Sequence, residues 1–469
     1  MIRNLNIVWF RKDLRLKDNP ALEAAAHNAD IFPIYINDTK DKNERNMGAA
    51  SKVWLYNSLN ALNSSIGNKL NYFRGNAENI LIDLIQNNRI NGVYWNRCYE
   101  PFSISRDTKI KKILIDNNVK AESFNGSLIR EPWEVLKDDN TPYKVFTPFF
   151  KKAYLTLDNI DIEDFDTSRI NYVSNSSHNN INNLNLLTNL SWENEVISSW
   201  KVGEKAAIQK AEKFFRKGIL EYKEGRNFPA KNNVSRLSPH LHFGEISPKR
   251  LWVDTCNLKQ NKNTTHFLSE LCWREFSYYL LYHFPYLPEK NLQIKFDSFP
   301  WVDNNDYFEK WKKGETGYPI IDAGMKELYS TGYMHNRVRM IVASFLVKNL
   351  LIHWRKGENY FWDCLFDADL ANNSAGWQWV AGSGTDAAPY FRIFNPVAQG
   401  KRFDCDGSYT RKYLPALKNM PDEYLFNPWE APELVLKEAD VSLGKNYPKP
   451  IVDIKLSREN ALHAYEKIK

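Results

Sequence analysis

The sequence predicts an α/β N-terminal domain built on a doubly wound parallel sheet, followed by an all-α C-terminal domain. Three observations carry this division. Short apolar runs alternate with helical patterns in the first third, an Asn-, Ser- and Asp-rich stretch follows, and strand patterns nearly vanish beyond residue 200.

Taken in order, NIVWF (6–10), IFPIYI (31–36), KLNYF (69–73) and GVYWN (92–96) read as strands. Between them, ASKVWLYNSLNALNSSI and AENILIDLIQNN carry helical spacing. No G-x-G-x-x-G follows the first strand, which disfavours a dinucleotide bound in the usual Rossmann manner. Residues 158–195 read as a long interdomain connection lying over the surface, partly ordered at best. Beyond it, EKAAIQKAEKFFRKGILEYKEG, FLSELCWREFSYYLLYHF, IIDAGMKELYSTG and NRVRMIVASFLVKNLLIHWRKG are predicted helices. Gly218, Gly225, Gly332 and Gly357 stand where such helices would stop. The expected boundaries are 1–132 for the α/β domain, 133–200 for the connection and 201–469 for the helical domain.

A chain of 469 residues is too long for one compact core. Its 43% hydrophobic and 25% charged content describe an ordinary folded protein, but 14% aromatic residues is high. Rings at that density serve large buried surfaces or stacking. The net charge of +7 leans mildly towards polyanions. Five scattered cysteines, odd in number and without C-x-x-C, indicate reduced thiols in a cytoplasmic protein. The first residues meet charge too early for a signal peptide, and Lys348 interrupts the apolar run MIVASFLVKNLLIHW, so no membrane association is expected. A monomer without an obligate protein partner is the expectation.

Four constellations stand out. In NNVSRLSPHLHFGEISPKRLW (232–252), Ser235, Arg236 and Ser238 form a turn closed by Pro239, before a helix start at Ser247-Pro248. Such groups suit a phosphate, and equally an N-cap cluster with an incidental arginine. In LYSTGYMHNRVRMIVASFL (328–346), Asn336 and Met340 share a helical face beside Arg337 and Arg339. They suit an amide-bearing ring, and equally an amphipathic helix with a solvated basic side. FDADLANNSAGWQWVAGSGTDAAPYFRIFNP (366–396) sets Asp367 and Asp369 before Asn372, Asn373, Trp377 and Trp379 among small residues that permit close backbone approach. Paired aspartates also suit Mg²⁺, but no histidine cluster supports a metal site, and none is expected. Finally, Glu270 precedes Trp273 by one turn in an aromatic helix.

Together, WFRKDLRLKDNPAL, SRLSPHLHFGEISP, ELCWREF, TGYPIIDAGM, MHNRVRMIVASFLVK and DADLANNSAGWQW…YFRIFNP resemble the photolyase/cryptochrome family in order and spacing along nearly the whole chain. The likeness is closest to microbial photolyases that repair cyclobutane pyrimidine dimers. The resemblance implies an N-terminal antenna domain and a helical domain holding FAD. Tyr222, Ser235, Arg236, Leu237, Ser238, Arg274, Asp367 and Asp369 match flavin-contacting positions. Val234 stands where many relatives have Thr, and Phe267 where many have Trp. Asn373 matches the residue facing flavin N5, which is Asn in repairing relatives, Asp in plant cryptochromes and Cys in insect ones.

Glu270, Trp273, Asn336, Arg337, Met340 and Trp379 match the dimer pocket, with Asn336 also on its flavin side, and Arg226 matches a DNA-contacting arginine. Photolyases for the six-four lesion carry His at the positions of both Asn336 and Met340. Trp377, Trp354 and Trp311 match the photoreduction chain from flavin to surface. Near the antenna, Cys98, Phe102, Ser103 and His242 depart from well-known folate and deazaflavin binders. A reduced folate is the expected second chromophore, with deazaflavin or an empty domain the alternatives. The implied activity is light-driven electron transfer from excited, reduced FAD to a dimer flipped out of damaged DNA. The alternative is a cryptochrome-type blue-light receptor without repair. A Glu270 walled by rings is expected to stay protonated and donate to the lesion.

Overall fold

The computed structural model describes residues 4–39, 45–154, 157, 160, 162, 165–387 and 389–469. Parts of the predicted interdomain connection, at 155–156, 158–159, 161 and 163–164, lie outside the described residues. The chain divides into two compact units, one of Met1–Lys217 with Ser235–Pro285 and one of Gly218–Val234 with Tyr286–Lys469.

The first unit is built on β1 (Asn4–Phe10), α1 (Pro20–Ala26), β2 (Ala29–Asp38), α2 (Ala49–Ser65), β3 (Asn71–Gly75), α3 (Ala77–Asn87), β4 (Ile90–Asn96), α4 (Pro101–Asp116) and β5 (Lys120–Phe124). The strands form one parallel sheet in the order β3-β2-β1-β4-β5, with Val8 in register with Pro33 and with Tyr94. Adjacent residues of β1 are buried, Ile7 and Trp9 as fully as Val8 and Phe10, as a sheet covered on both faces requires. Ile7, Trp9, Ile34, Ile36, Val93 and Trp95 share one core with Leu81 and Leu84 of α3 and Ile110 and Leu114 of α4.

All four predicted strands are present, and KAESF is a fifth that the pattern missed. At this edge Ala121 is the sole fully buried residue of β5, so the apolar signal of a strand is absent. The connection is more structured than expected. Ile31 bridges to Tyr172, the Asn71 amide donates to Val173 O at 3.4 Å, and Asn37 donates to Leu184 O at 2.9 Å. Asparagine side chains stand in here for the ladder bonds that an additional strand would make.

The turn after β1 explains why no glycine fingerprint was found. Buried Arg15 spans it, donating to the carbonyls of Asp18, Gly126 and Gly244 at 2.6–3.0 Å. The backbone N–H groups of Leu16 and Lys17 are taken by the Glu204 carboxylate at 3.0 and 2.8 Å, where a dinucleotide fold would place phosphate. Gly244, at φ +67°, lies so close that a Cβ would stand 2.1 Å from Lys12 O. The motifs WFRKDLRL and HLHFGEIS are therefore two sides of one packing contact.

The second unit is helical. Among its described residues, extended pairing is limited to an isolated bridge, Leu443 with Tyr447. The long helix predicted from Asn336 is broken. Asn336–Ser344 is α-helical, Phe345–Asn349 is π-helical, Leu351 turns left-handed at φ +54°, and a new helix runs Trp354–Cys364. Gly357 lies inside that second helix and does not stop it. A Cβ there would sit 2.1 Å from the Trp377 ring, so steric room, not chain reversal, requires glycine. Gly332 does end its helix, Pro319–Thr331, in the left-handed conformation.

Candidate functional site

In the second unit the site is organised around the helix Leu370–Ala381. Asp369 caps it, accepting from Asn372 N at 2.8 Å and from the Asn372 amide at 2.7 Å. Asp367 Oδ2 accepts from the Arg339 guanidinium at 2.8 Å, while Asp367 Oδ1 is buried with no hydrogen-bond partner among the described residues. Arg339 also donates to Met334 O at 2.8 Å. Burial pulls the proton affinity of Arg339 down and Asp367 more than restores it. The basic side of this helix is thus not simply solvated, because Arg339 faces inward as half of an ion pair. Asn373 donates its amide to Glu358 O at 3.0 Å and to Glu358 Oε1 at 2.7 Å, which fixes the direction of its carbonyl oxygen. Neither Arg339 nor Glu358 was assigned a site role from sequence, since each occupies an ordinary place in an amphipathic pattern.

His335 caps the helix Asn336–Ser344 through Nδ1, 3.2 Å from Arg337 N. Asn336 is exposed and Met340 half-buried one turn later, while Val338 and Ile341 face the core. Arg337 donates to Asn227 and lies 4.4 Å over Phe403, and Arg402 covers the same ring at 5.1 Å. Burial first, then Arg226 and Arg402, lower the proton affinity of Arg337. Three guanidiniums therefore converge here, and Arg402 is one that the sequence reading missed. Arg226 also lies over the ring of Tyr222, which is buried. Val234 is half-buried, and Trp379 is partly buried against the core.

The tryptophans separate into two roles. Trp377 is buried, 5.0 Å from Phe361 and 6.2 Å from Trp311 between ring centroids. Trp354 is fully buried and donates to Asn291 at 2.9 Å. Trp311 is also fully buried, its indole donating to Val342 O at 3.0 Å, so it cannot be the surface end of a relay. Instead, the His353 ring lies 5.7 Å from Trp354 and 5.0 Å from the half-buried Trp301. Trp311 in turn packs on Phe308 at 5.9 Å and on Tyr360 at 5.8 Å, both half-buried.

The remaining predicted residues belong to the first unit. On the helix Lys262–His283, Phe267 is buried 4.9 Å from Phe214, a core ring. Glu270 Oε1 lies 3.6 Å from His266 Nε2, with their side chains 26% and 32% exposed. The expectation of a carboxyl sealed among rings is therefore corrected: Glu270 is partly wet and has an imidazole beside it. Phe146 stacks on Trp273 at 3.8 Å and 11°, so one indole face is already covered. Arg274 donates to Ser127 O at 3.1 Å and to Glu275 at 3.0 Å. Burial pushes the Glu275 carboxyl up to about 7 against the pull of Arg274. Ser235 Oγ accepts from Leu237 N at 3.4 Å, Leu237 is buried, and Ser238 opens the short helix Ser238–His242. Arg236 is left-handed at φ +53° with its guanidinium 4.5 Å over Trp200. Such a backbone costs on the order of 1–3 kcal/mol and clusters at binding sites.

Between β1 and β4, where the strand order reverses, a doubly wound sheet ordinarily takes its ligand. Here the chain fills that place itself. Arg11 pairs with Asp107, Lys12 with Glu100 and Arg106 with Asp38, and the Trp9 ring has Arg11 at 4.7 Å and Arg106 at 4.9 Å. Nearby, burial raises the Cys98 thiol to about 11 and holds His242 well below its usual range. Ser103 is buried, and Phe102 stands under Arg106 at 5.3 Å.

Among the described residues, no group of His, Cys, Asp or Glu could hold a metal ion, and no helix is long and apolar enough to cross a membrane. A family model for the FAD binding domain of DNA photolyase matches residues 267–467, and a DNA photolyase model matches residues 6–167. The deoxyribodipyrimidine photo-lyase of Agrobacterium fabrum is 46% identical over 99% of this chain and 98% of its own. Cryptochrome-2 of Arabidopsis thaliana is 36% identical over 97% of this chain and 77% of its own. The crystal structure of a bacterial class III photolyase from Agrobacterium tumefaciens superposes with a TM-score of 0.93 at 45% identity, covering 100% of this chain and 98% of that one. A parallel sheet joined to a helical FAD-binding region, matched along its length by these relatives, places the chain in the DNA photolyase family.

Proposed function

We propose that this photolyase repairs cyclobutane pyrimidine dimers in DNA by light-driven electron donation from FAD. The observation that carries this reading is the paired arrangement at the start of helix Leu370–Ala381. A buried aspartate is held by Arg339 with one oxygen left to accept, and Asn373 has its amide pinned by Glu358. Buried acceptors are rarely left unpaired, and Asp367 Oδ1 suits a hydroxyl or ring N–H of a flavin nucleotide. FAD, when bound and reduced, supplies the excited electron. Asp367, Asp369 and Asn373 would hold and orient its ring system, with Tyr222, Val234, Ser235, Arg236, Leu237, Ser238, Phe267, Arg274 and Asn336 as further proposed contacts.

The lesion is an anionic, flat, carbonyl-bearing object, and the chain's groups match each property. Arg226, Arg337 and Arg402 grip phosphate without reading sequence. Trp273, by its one open face, and Trp379 offer apolar surface, and Met340 a polarizable contact. Extrusion of a base costs a few kcal/mol for photolyases as a class, a figure known for the class and not obtained from this chain. Glu270 and Asn336 donate to the pyrimidine carbonyls as negative charge develops there. Glu270 is part-exposed beside His266, and a bound lesion would cover it and favour its protonated form.

Two expected outcomes follow from this assignment. Glu270→Gln, which keeps a donor but loses the acid, should lower repair per absorbed photon while leaving dimer binding within a few-fold. An unchanged quantum yield would remove Glu270 from the chemistry. Affinity for dimer-containing DNA should fall steeply with salt, and Arg402→Ala should flatten the log–log slope by roughly one, whatever the flanking bases. A slope equal to that of the parent protein would take Arg402 out of the phosphate clamp.

The rival reading, a receptor without repair, is disfavoured by Asn373. An aspartate at 373 would set a second carboxyl against Glu358 Oε1, which now lies 2.7 Å from an amide donor.

A further inference from the structure

The segment that the sequence marks as the start of an interdomain connection supplies a second aromatic helix beside Trp273, Phe146–Tyr154. Phe146, Phe150 and Tyr154 recur there every four residues and so share one face. Their rings stack outward from the indole as a near-parallel column. Trp273 meets Phe146 at 3.8 Å and 11°, Phe146 meets Phe150 at 5.6 Å and 18°, and Phe150 meets Tyr154 at 6.2 Å and 25°. Both ends of the column are held. The buried Tyr154 hydroxyl donates to Glu275 Oε2 at 3.4 Å, and Phe276 meets Trp273 and Phe146 edge-on, 5.9 Å from each.

The contact at the indole is closer than ring packing requires. Aromatic pairs in cores ordinarily settle, offset or tilted, at centroid separations of about 4.5–7 Å. The neighbouring Phe149 does so, tilted at 5.0 Å from Phe276 and 4.7 Å from Tyr279. Phe146 instead lies flat against Trp273 and is itself buried, so it covers one whole face of a half-buried indole. Turning the indole about its side-chain torsions would break its contacts with Phe146 and Phe276 together. Its plane is therefore set before any ligand arrives, and a ligand can stack on the opposite face alone.

That asymmetry separates two kinds of pyrimidine pair. Adjacent bases of an intact strand can splay apart, and an indole open on both faces would let them close on it from either side. Bases joined covalently cannot part, and they meet a single face as one rigid body. We propose that Phe146 is a specificity-determining residue of the lesion pocket, acting through Trp273: it bars the second indole face, so that two joined pyrimidines are accepted and two separate ones are refused. Fixing the plane in advance spares the dimer the entropy of ordering the side chain, and barring the second face acts against the competitor. Phe146 touches no lesion atom and is thus a positioning residue. The inference rests on the reading of Trp273 as a stacking surface for the lesion.

The test is dark equilibrium binding of flavin-loaded protein to short single-stranded oligonucleotides, with and without one thymine dimer, followed by repair yield at saturation. Phe146→Leu keeps an apolar side chain but loses the flat face. It should weaken dimer binding about tenfold without weakening binding of the undamaged strand, and leave the yield per bound dimer at the parent value. Phe146→Tyr should restore the parent preference. Phe149→Leu removes a buried ring from the same helix, and should lower stability while keeping that preference. An unchanged preference in Phe146→Leu, or an equal loss in Phe149→Leu, would overturn the role of Phe146 while leaving Trp273 in place. Trp273→Leu binding the dimer as tightly as the parent chain would remove the stacking surface and the inference together.

Discussion

Arg339→Met is expected to destabilise the protein by about 3–5 kcal/mol, because it leaves Asp367 buried without its counter-charge. The side chain of Asp367 is 5% exposed, so water cannot replace the guanidinium as it would on the surface. The same change should release flavin, since the aspartate is proposed to be aimed at its ligand by Arg339. Equilibrium unfolding in denaturant and the ratio of bound flavin to protein would check both halves. Arg339→Met combined with Asp367→Asn should recover part of the stability but not the flavin. Full flavin occupancy in the single variant would show that the pair is a structural brace only.

Trp377→Phe is expected to abolish photoreduction of oxidised flavin while repair by chemically reduced enzyme continues. The ring stays apolar and still fits above Gly357, so the effect should be electronic and not a loss of fold. Two companion changes separate relay from core. Trp301→Phe should slow photoreduction strongly, whereas Trp311→Phe should leave its yield near the parent value, because Trp311 is itself fully buried while Trp301 is half-buried. A Trp311 variant as defective as the Trp377 variant would restore the assignment that the sequence suggested.

That reversal shows where sequence reading reaches its limit. Trp311 and Trp301 sit in similar, locally unremarkable segments, and only burial distinguishes the fully buried Trp311 from the half-buried Trp301. The strands that cross the middle of the sheet were legible because both of their faces are covered and their residues are continuously apolar. KAESF was not, since an edge strand needs little apolar surface. Gly357 read as a helix stop because a glycine chosen for its neighbour's bulk and one chosen for its own φ look alike in a sequence. The candidate residues of the motif DADLANNSAGWQW were legible as a group, but Arg339 and Glu358, which set the direction of Asp367 and Asn373, were not. Their signal lies in tertiary contact alone. Glu270 was read as sealed because its sequence neighbours are rings, yet the helix turns His266, and not only those rings, towards it.

The central claim is that excited, reduced flavin held by this chain splits a pyrimidine dimer. The most direct measurement is illumination of the flavin-loaded, reduced protein with an oligonucleotide carrying a single thymine dimer, followed by counting intact thymines against absorbed photons. Light-dependent restoration of both thymines, absent in the dark, is the expected result. A lesion left unchanged under light, by protein that holds reduced flavin and binds the oligonucleotide, would contradict the account.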